Sequence, residues 1–323
     1  MSKIIGIDIS KSTFDVSYLE QDKWEHKVFK NQSTGFEQFK KILNSSDWIV
    51  MEASGPYYVR LATFLNLGNY NVCVLNPLII RRYSQTRLYR AKTAKKDSKT
   101  IAEYGSQYEL TNWRPESKHC IEIKQLYTAL ELLKKQRHQT KRQLESFETT
   151  GLLANSLKKE LKQIILLLER RIDKLEKQIE KIGELAYKDT IQRLKTIPGI
   201  GTKTAIMMSV ITDNFTKFEN YKQLIAFVGF SPRLYQSGTS VKGKGHICKM
   251  GKPQIRKLLY LCSWSAKRVN KTCIEMYKRL KEKGKPERVI KIAIANKLIK
   301  QIFSIAKNKQ NYNENYQSNF CLN

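Results

Sequence analysis

The chain has few of the residues on which metal–thiolate sites and disulfide-rich folds depend. Its 323 residues include six cysteines and four histidines. No two cysteines form a Cys-x-x-Cys pair, and no histidine lies at metal-ligand spacing from a cysteine. This spacing excludes a zinc finger and a disulfide framework, and it predicts free thiols in a reducing compartment. A metal, if one is used, must therefore be bound by carboxylates, which favours Mg²⁺ or Mn²⁺.

Long apolar runs are also missing. The longest, residues 164–168, is far shorter than the roughly 20 residues that a membrane-spanning helix needs. We find no secretory signal and no lipidation motif. We therefore expect a soluble, intracellular protein without a membrane partner.

Acidic residues are scarce relative to basic ones. The chain has 59 Lys and Arg against 29 Asp and Glu, a formal net charge of +30, while 41% of its residues are hydrophobic. The hydrophobic fraction is large enough for a packed core. An excess of positive charge this large repels itself and favours a polyanionic partner, of which nucleic acid is the most common.

The first segment, residues 1–110, alternates strand and helix patterns. Apolar or alternating runs predict strands at 3–10, 13–19, 24–29, 48–52 and 70–75, and helices at 33–43, 57–67 and from Pro77. Ser33 or Thr34 is a candidate N-cap of the first helix. Three strands followed by alternating helices and strands is the order of an α/β domain of the ribonuclease H-like, or RuvC-like, type.

The second segment, residues 111–190, predicts two long helices with a break near residues 149–155. Apolar residues recur at spacings of four and three, typical of a coiled-coil seam, at Leu161, Ile165, Leu168, Ile172, Leu175, Ile179 and Ile182. Two interpretations stay open for this connector. The seam either packs within the chain as an antiparallel helical hairpin or mediates self-association.

The third segment, residues 191–310, is mainly helical and strongly basic. It opens with Thr-Ile-Pro-Gly-Ile-Gly at 196–201, typical of a helix-hairpin-helix turn, in which Gly199 and Gly201 let backbone N–H groups approach a phosphate. From 233 to 309 there are 21 Lys and Arg against three acidic residues, which indicates contact with a phosphate backbone. Further candidate nucleic-acid contacts are Lys242, Lys244, Lys249, Lys252 and Arg256. Residues 311–323 are predicted to be a disordered tail.

Three acidic residues are candidates for chemistry. Asp8 and Glu52 stand in or at the end of buried strands, where a carboxylate is costly unless it is paired, and Asp97 stands at the start of a helix. Together they are able to bind a divalent cation. The alternatives are a structural strand-end group for Asp8, local backbone bonding for Glu52 and a helix cap for Asp97.

Ser237 is a candidate nucleophile. It lies in a predicted loop ahead of a Gly- and Lys-rich run, whose lysines are able to stabilise charge on a phosphorus centre. By chemistry alone Ser240 is an equal candidate, and most loop serines have no catalytic role.

The motifs of this chain resemble those of insertion-sequence transposases of the IS110 family, which includes DNA invertases of the Piv/MooV type. The resemblance covers nearly the whole length. It is carried by the stretches GIDISKSTFDV, MEASGPYYVRLATFL, VLNPLIIRRYSQTR and KTAKKDSKTIAEYG in the first segment, and by LKTIPGIGTKTA, FENYKQLIAFVGFSPRLYQSG and ICKMGKPQIRKLLYLCSWSA in the third.

The resemblance implies a RuvC-like domain whose Asp-Glu-Asp-Asp tetrad coordinates Mg²⁺. The matching positions are Asp8, Glu52 and Asp97, but Ala94 stands where the family pattern has an aspartate. Two explanations stay open: an inactivating substitution, engineered or in a decayed element, or a divergent copy that binds metal with three carboxylates.

The resemblance also selects Ser237, in the family's Ser-Gly pair, as a nucleophile that forms a transient 5′-phosphoserine link to DNA. It implies a structured non-coding guide RNA, called bridge RNA, that pairs with donor and target double-stranded DNA. A homo-oligomer is expected, a dimer or, in synapsis, a tetramer in which a partner protomer supplies the carboxylates.

Two other functions compete with an RNA-guided transposase. One is a metal-dependent RuvC-like nuclease or resolvase that uses the carboxylates alone. The other is a non-catalytic nucleic-acid-binding protein, with Ala94 as the mark of an inactive site.

Overall fold

A computed structural model describes residues 2–89, 93–233, 235–237, 241–243 and 245–315, with 236–237 and 241–242 described by their backbone. The chain divides into two compact units, Met1–Glu116 and Ser117–Asn323. The first is a mixed α/β unit built on a sheet and the second is mostly helical. None of the described helices is both long enough and apolar enough to cross a membrane.

The N-terminal unit contains, among its described residues, a five-stranded sheet of order β3-β2-β1-β4-β5. Strands β1–β3 form an antiparallel meander, whereas β4 and β5 run parallel to β1. The elements are β1 (Ile4–Ile9), β2 (Thr13–Glu20), β3 (Lys23–Lys30), α1 (Ser33–Lys40), β4 (Trp48–Glu52), α2 (Tyr58–Leu67), β5 (Asn71–Leu75), α3 (Pro77–Thr86) and α4 (Ala94–Gln107). The predicted order of strands and helices is confirmed.

Alternation along the strands gives the sheet two apolar faces. One face packs with α1 and α2 around Ile7 and Phe14, and the other packs with α3 and α4 around Val50 and Ile101. The start of α1 differs from the expectation: its N-cap is Gln32, whose side chain makes no capping bond. Ser33 is already helical, and α1 is held by Phe36 and Phe39 in the core, so packing fixes this helix without a cap.

The C-terminal unit begins with two long helices, α5 (Lys118–Thr149) and α6 (Asn155–Lys195). They are antiparallel within the chain, because Lys134 pairs with Glu176 and Lys141 with Glu169. The seven predicted seam residues of α6 are all buried or half-buried. Ile172 and Ile179 share a core with α5 residues such as Tyr127. The seam is thus used within one chain, as the hairpin interpretation predicted.

The remainder of this unit packs around α11. Its elements are α7 (Thr202–Thr212), α8 (Tyr221–Val228), β6 (Pro232–Arg233), β7 (Gln236–Ser237), β8 (Val241–Lys242), β9 (His246–Ile247), α9 (Pro253–Val269), α10 (Lys271–Glu282) and α11 (Glu287–Asn308). Ile294, Leu298 and Ile302 of α11 are fully buried. Within the predicted tail, the Tyr312 N–H donates to Thr196 Oγ1 at 2.8 Å.

Candidate functional site

Asp8 and Glu52 are neighbours across two parallel strands. The pairing of β1 with β4 runs as far as Ile7 with Met51, so the next residue on each strand is one of the two acids. Side chains alternate along a strand, which places both carboxylates on the sheet face of Gly6 and Val50. Both are half-buried. The register therefore brings two of the predicted acids together at the carboxyl edge of the parallel strands.

Asp97 reaches the same edge because α4 lies directly on β1. A Cβ at Gly6 would be 2.1 Å from the Ser98 carbonyl oxygen and 2.3 Å from the Ala102 nitrogen, so only glycine permits this approach. At the other end of α4, Gly105 packs on Ile4 in the same way. The helix therefore runs antiparallel to β1, and its first turn, which holds Asp97, lies at the end of the strand where Asp8 is found.

A further acid that the sequence did not single out belongs to this row. Asp15 on β2 is the direct partner of Asp8 across the antiparallel pair. His26 Nε2 lies 2.9 Å from Asp15 Oδ1. Like charges opposite each other destabilise a sheet, and His26 offers Asp15 a hydrogen-bond donor. The alternation of polar and apolar residues in Thr-Phe-Asp-Val, residues 13–16, indicates a strand. Only the register of that strand shows that Asp15 lies opposite Asp8.

Ala94 is exposed in the first turn of α4, three residues before Asp97. Thr93 caps the helix, accepting a bond from the Lys96 N–H at 3.2 Å, so Asp97 is not needed as the cap. In the described part of the chain, no three His, Cys, Asp or Glu side chains are gathered closely enough to hold a metal ion. A cation would therefore have to draw Asp8, Glu52 and Asp97 closer together.

Ser237 belongs to the C-terminal unit. The sequence predicted a loop at this position. The backbone of Ser237 instead belongs to the two-residue strand β7, where it pairs with Val241 of β8. Ser240 and Lys244 lie outside the described residues.

The predicted phosphate contacts fall into two groups. Lys249 and Lys252 are exposed, and Lys252 precedes the first turn of α9. Arg256 instead donates from Nη1 to the Val228 carbonyl at 2.8 Å, and this contact ties α9 to the end of α8. Lys242 lies on β8, where its backbone pairs with Gln236.

The two glycines of the 196–201 turn also differ. A Cβ at Gly199 would lie 2.8 Å from Ala266 on α9, and its φ is +99°, so this glycine serves close helix packing. Gly201 precedes α7 and has open space where a side chain would be. The Asn270 side chain stabilises the turn, because its Nδ2 donates a hydrogen bond to the Pro198 carbonyl oxygen at 3.3 Å. The exposed start of α7 is thus the part of the turn that a phosphate is able to approach.

One acid in the basic unit is held by several donors. Hydrogen bonds from Lys267 at 2.7 Å and from Tyr277 at 2.9 Å lower the pKa of Glu287 to about 2. Lys291 lies 3.3 Å from the same carboxylate. Glu287 therefore stays ionised over the physiological range and organises the cations around it.

Two protein-family models match the chain, one described as "Transposase" over residues 5–148 and one as "Transposase IS116/IS110/IS902 family" over residues 191–278. A pilin gene-inverting protein of Moraxella lacunata is 30% identical over 97% of this chain and 99% of the relative. A probable family 20 transposase of Pseudomonas aeruginosa is 24% identical over 95% and 98%. The transposase of insertion sequence element IS1111A of Coxiella burnetii is 22% identical over 80% and 76%.

Proposed function

The chain belongs to the IS116/IS110/IS902 family of transposases, and from this premise we propose that it cuts and exchanges DNA strands as a site-specific recombinase. The observation that carries the proposal is the row of carboxylates that the register of β1 with β4 creates. The similarity of the chain to a pilin gene-inverting protein, which covers 99% of that relative, also supports the proposal. The two family-model matches, over residues 5–148 and 191–278, support a division of labour between a part that carries the candidate carboxylates and a strongly basic part.

We infer that the N-terminal unit is RuvC-like, because its strand order, with a meander joined to two parallel strands, is the one that this fold requires. Asp8, Glu52 and Asp97 would hold Mg²⁺ or Mn²⁺, since oxygen ligands suit these hard cations. When bound, the cation supplies charge stabilisation at the reacting phosphate. Asp15, beside Asp8, adds to the negative potential that attracts it.

The serine step is proposed for Ser237. Its oxygen forms a bond to phosphorus while the bond to the 3′ oxygen breaks, which leaves a 3′-hydroxyl and a 5′-phosphoserine. A 3′-hydroxyl from the other duplex then reverses the step and releases the serine. The phosphodiester energy is retained in the covalent link, so strands are rejoined without an external energy source.

Guide RNA and DNA are the proposed partners, and the net charge of +30 supports them. Neutralising the phosphates of two duplexes and one RNA needs many cations. Gly201 at the start of α7, in the proposed helix-hairpin-helix turn, together with Lys249 and Lys252, supplies exposed contacts.

We propose a dimer, and a tetramer in synapsis, with the carboxylates of one protomer acting beside the serine of another. We propose that the chain is divided into a RuvC-like domain (1–110), a helical connector (111–190), a C-terminal transposase domain (191–310) and a tail (311–323).

The decisive experiment compares Ser237→Ala with Ser240→Ala. On a plasmid carrying donor and target sites, we expect S237A to lose strand exchange and the covalent protein–DNA adduct, whereas S240A retains both. If S237A still cuts DNA in the presence of Mg²⁺, the protein is a RuvC-like nuclease or resolvase. If S240A alone is inactive, the nucleophile has been assigned to the wrong serine.

Ala94 favours a second candidate, a non-catalytic nucleic-acid-binding protein. Ala94→Asp adds a carboxylate in the same helical turn as Asp97, so it should raise Mn²⁺ affinity, measured by calorimetry, together with strand exchange. Ala94→Asn is the matched control, because it has the same size without the charge. No gain in either measurement would contradict the idea that Ala94 weakens the site.

Nucleic acid that copurifies with the protein tests the guide. RNA of one defined size is expected, since a guide has a fixed length. Heterogeneous RNA, or none, would contradict guiding while leaving recombination untouched.

A further inference from the structure

The outer face of α9 combines aromatic, apolar and basic side chains. Its inner face is formed by the buried residues Ile255, Leu258, Leu259, Ser263 and Ala266. On the opposite side, Lys257, Leu261, Trp264 and Arg268 follow one another at spacings of four, three and four, and all four are exposed. These spacings put them on one stripe, about 16 Å long.

Trp264 is held in place from inside the protein. The ammonium of Lys291 on α11 lies 3.4 Å from the centre of the Trp264 ring. Lys267 Nζ also lies over the ring, 6.0 Å from its centre. Lys291 is 5% exposed whereas Trp264 is 45% exposed, so the indole is supported by a buried cation and still presents part of its surface to solvent. Glu287 neutralises Lys291, 3.3 Å away. The indole is thereby fixed as a flat surface before any ligand arrives.

Trp264 and Leu261, three residues apart on the stripe, are exposed side by side and form an apolar patch flanked by charged residues, a combination typical of an interaction site. A nucleobase fits this ring because stacking needs only a flat π surface, and Arg268 at one end of the stripe suits the phosphate beside the base. Lys257, at the other end, is paired with Glu131 of α5 at 3.3 Å. A protein partner fits less well, since Arg268 would have to be desolvated at its border.

Resting on the proposed recombinase function, we propose that Trp264 stacks on an unpaired base of a DNA strand, with Arg268 contacting a flanking phosphate. Strand exchange must separate paired strands, so unpaired DNA bases arise during the reaction. Duplex DNA keeps its bases stacked on each other and therefore offers this ring nothing to bind.

Trp24 in the other unit provides a matched control. It is 37% exposed, and Lys99 lies over its ring with Nζ 4.7 Å from the centre. Here the lysine side chain is itself 42% exposed. Trp24 therefore has no buried cation of the Lys291 kind beneath it among the described contacts, and we do not expect a base to stack there.

The test is a fluorescence titration of the full-length protein with a mixed-sequence single-stranded DNA of about 12 nucleotides. Stacking quenches indole emission, so the wild type and Trp24→Phe should both be quenched, whereas Trp264→Phe should lose most of the quenching. In anisotropy measurements, Trp264→Ala should weaken single-strand binding about 10-fold, with Trp264→Phe closer to wild type and duplex binding unchanged. Circular dichroism checks that both variants are folded.

The outcomes distinguish failure of the proposed recombinase function from failure of base stacking on Trp264. If the wild type binds neither single-stranded nor duplex DNA, the proposed function fails together with this inference. If it binds but W264F is quenched like the wild type and W264A binds equally well, the inference alone is overturned. Quenching by a single-stranded RNA of the same sequence and not by DNA would overturn the assignment to DNA. A loss of self-association in W264A, without loss of DNA binding, would make the stripe a protein interface.

Discussion

The two units of this protein hold their functional groups in opposite ways. In the N-terminal unit the candidate acids Asp8 and Glu52 are half-buried, and their positions follow from strand register and from a helix packed on a glycine. In the C-terminal unit the candidate cations Lys249 and Lys252 are exposed, and Ser237 is on a two-residue strand.

This difference follows from the chemistry each unit is proposed to perform. Carboxylates that share one metal repel each other without it, so they need a rigid frame that keeps their backbones at one edge of the sheet. Cations that contact a nucleic-acid backbone need reach and solvation, and they act additively through counterion release. The N-terminal unit should therefore be sensitive to small steric changes, and the basic surface should be tolerant of them.

The largest expected effect is that of Gly6→Ala. The new Cβ would meet the backbone of α4 at 2.1 and 2.3 Å, and backbone is unable to move aside as a side chain does. We expect a loss of unfolding free energy of about 3 kcal/mol or more, measured by denaturant unfolding of the full-length protein, with loss of strand cleavage. Gly201→Ala, where the space is open, should cost no more than about 1 kcal/mol. Equal losses in the two variants would remove the contrast between the units.

The sequence singles out Asp8 and Glu52 because a carboxylate inside an apolar strand is anomalous, and the register of β1 with β4 places the two acids side by side. It also predicts the helices and strands of the first unit, whose patterns are local. Asp15 was missed because its relation to Asp8 depends on strand register, which joins residues that are not adjacent in the sequence.

The roles of individual basic residues and glycines were harder to predict. Gly199 reads as a phosphate-contacting glycine, yet it serves packing against Ala266, which is far away in the sequence. Arg256 reads as one cation among many in a basic stretch, yet its guanidinium binds the Val228 carbonyl. Composition identifies a basic surface, but only tertiary contacts separate its structural cations from its accessible ones.

Two substitutions near the start of α9 test the distinction between structural and accessible cations. Arg256→Ala removes the donor to the Val228 carbonyl and should lower unfolding free energy by about 2 kcal/mol, because a buried acceptor loses a charged partner. Lys252→Ala should change stability by less than about 0.5 kcal/mol but weaken DNA binding and reduce its salt dependence by about one unit of slope. The measurements are thermal unfolding and anisotropy at several salt concentrations. Arg256→Lys restores the charge without the guanidinium geometry and should recover stability only in part. The assignment is contradicted if K252A is the destabilised variant.

The smallest expected effect concerns Glu287, an acid with a structural role in the basic unit. Its pKa is lowered from 4.5 to about 2, chiefly by the hydrogen bond from Lys267. A lowered folded-state pKa stabilises the protein above the unfolded value, and this contribution is lost as the pH falls from about 4.5 towards 2. Glu287→Gln should therefore be less stable than the wild type at neutral pH, with the two melting temperatures converging below about pH 4. The difference should be small and should shrink with added salt, because the Lys267–Glu287 pair is exposed to solvent.

Since Glu287 also neutralises Lys291 beneath Trp264, the same variant should alter the indole emission at neutral pH. A constant difference in melting temperature from neutral pH to pH 2 would show that the carboxylate charge of Glu287 has no part in holding these cations.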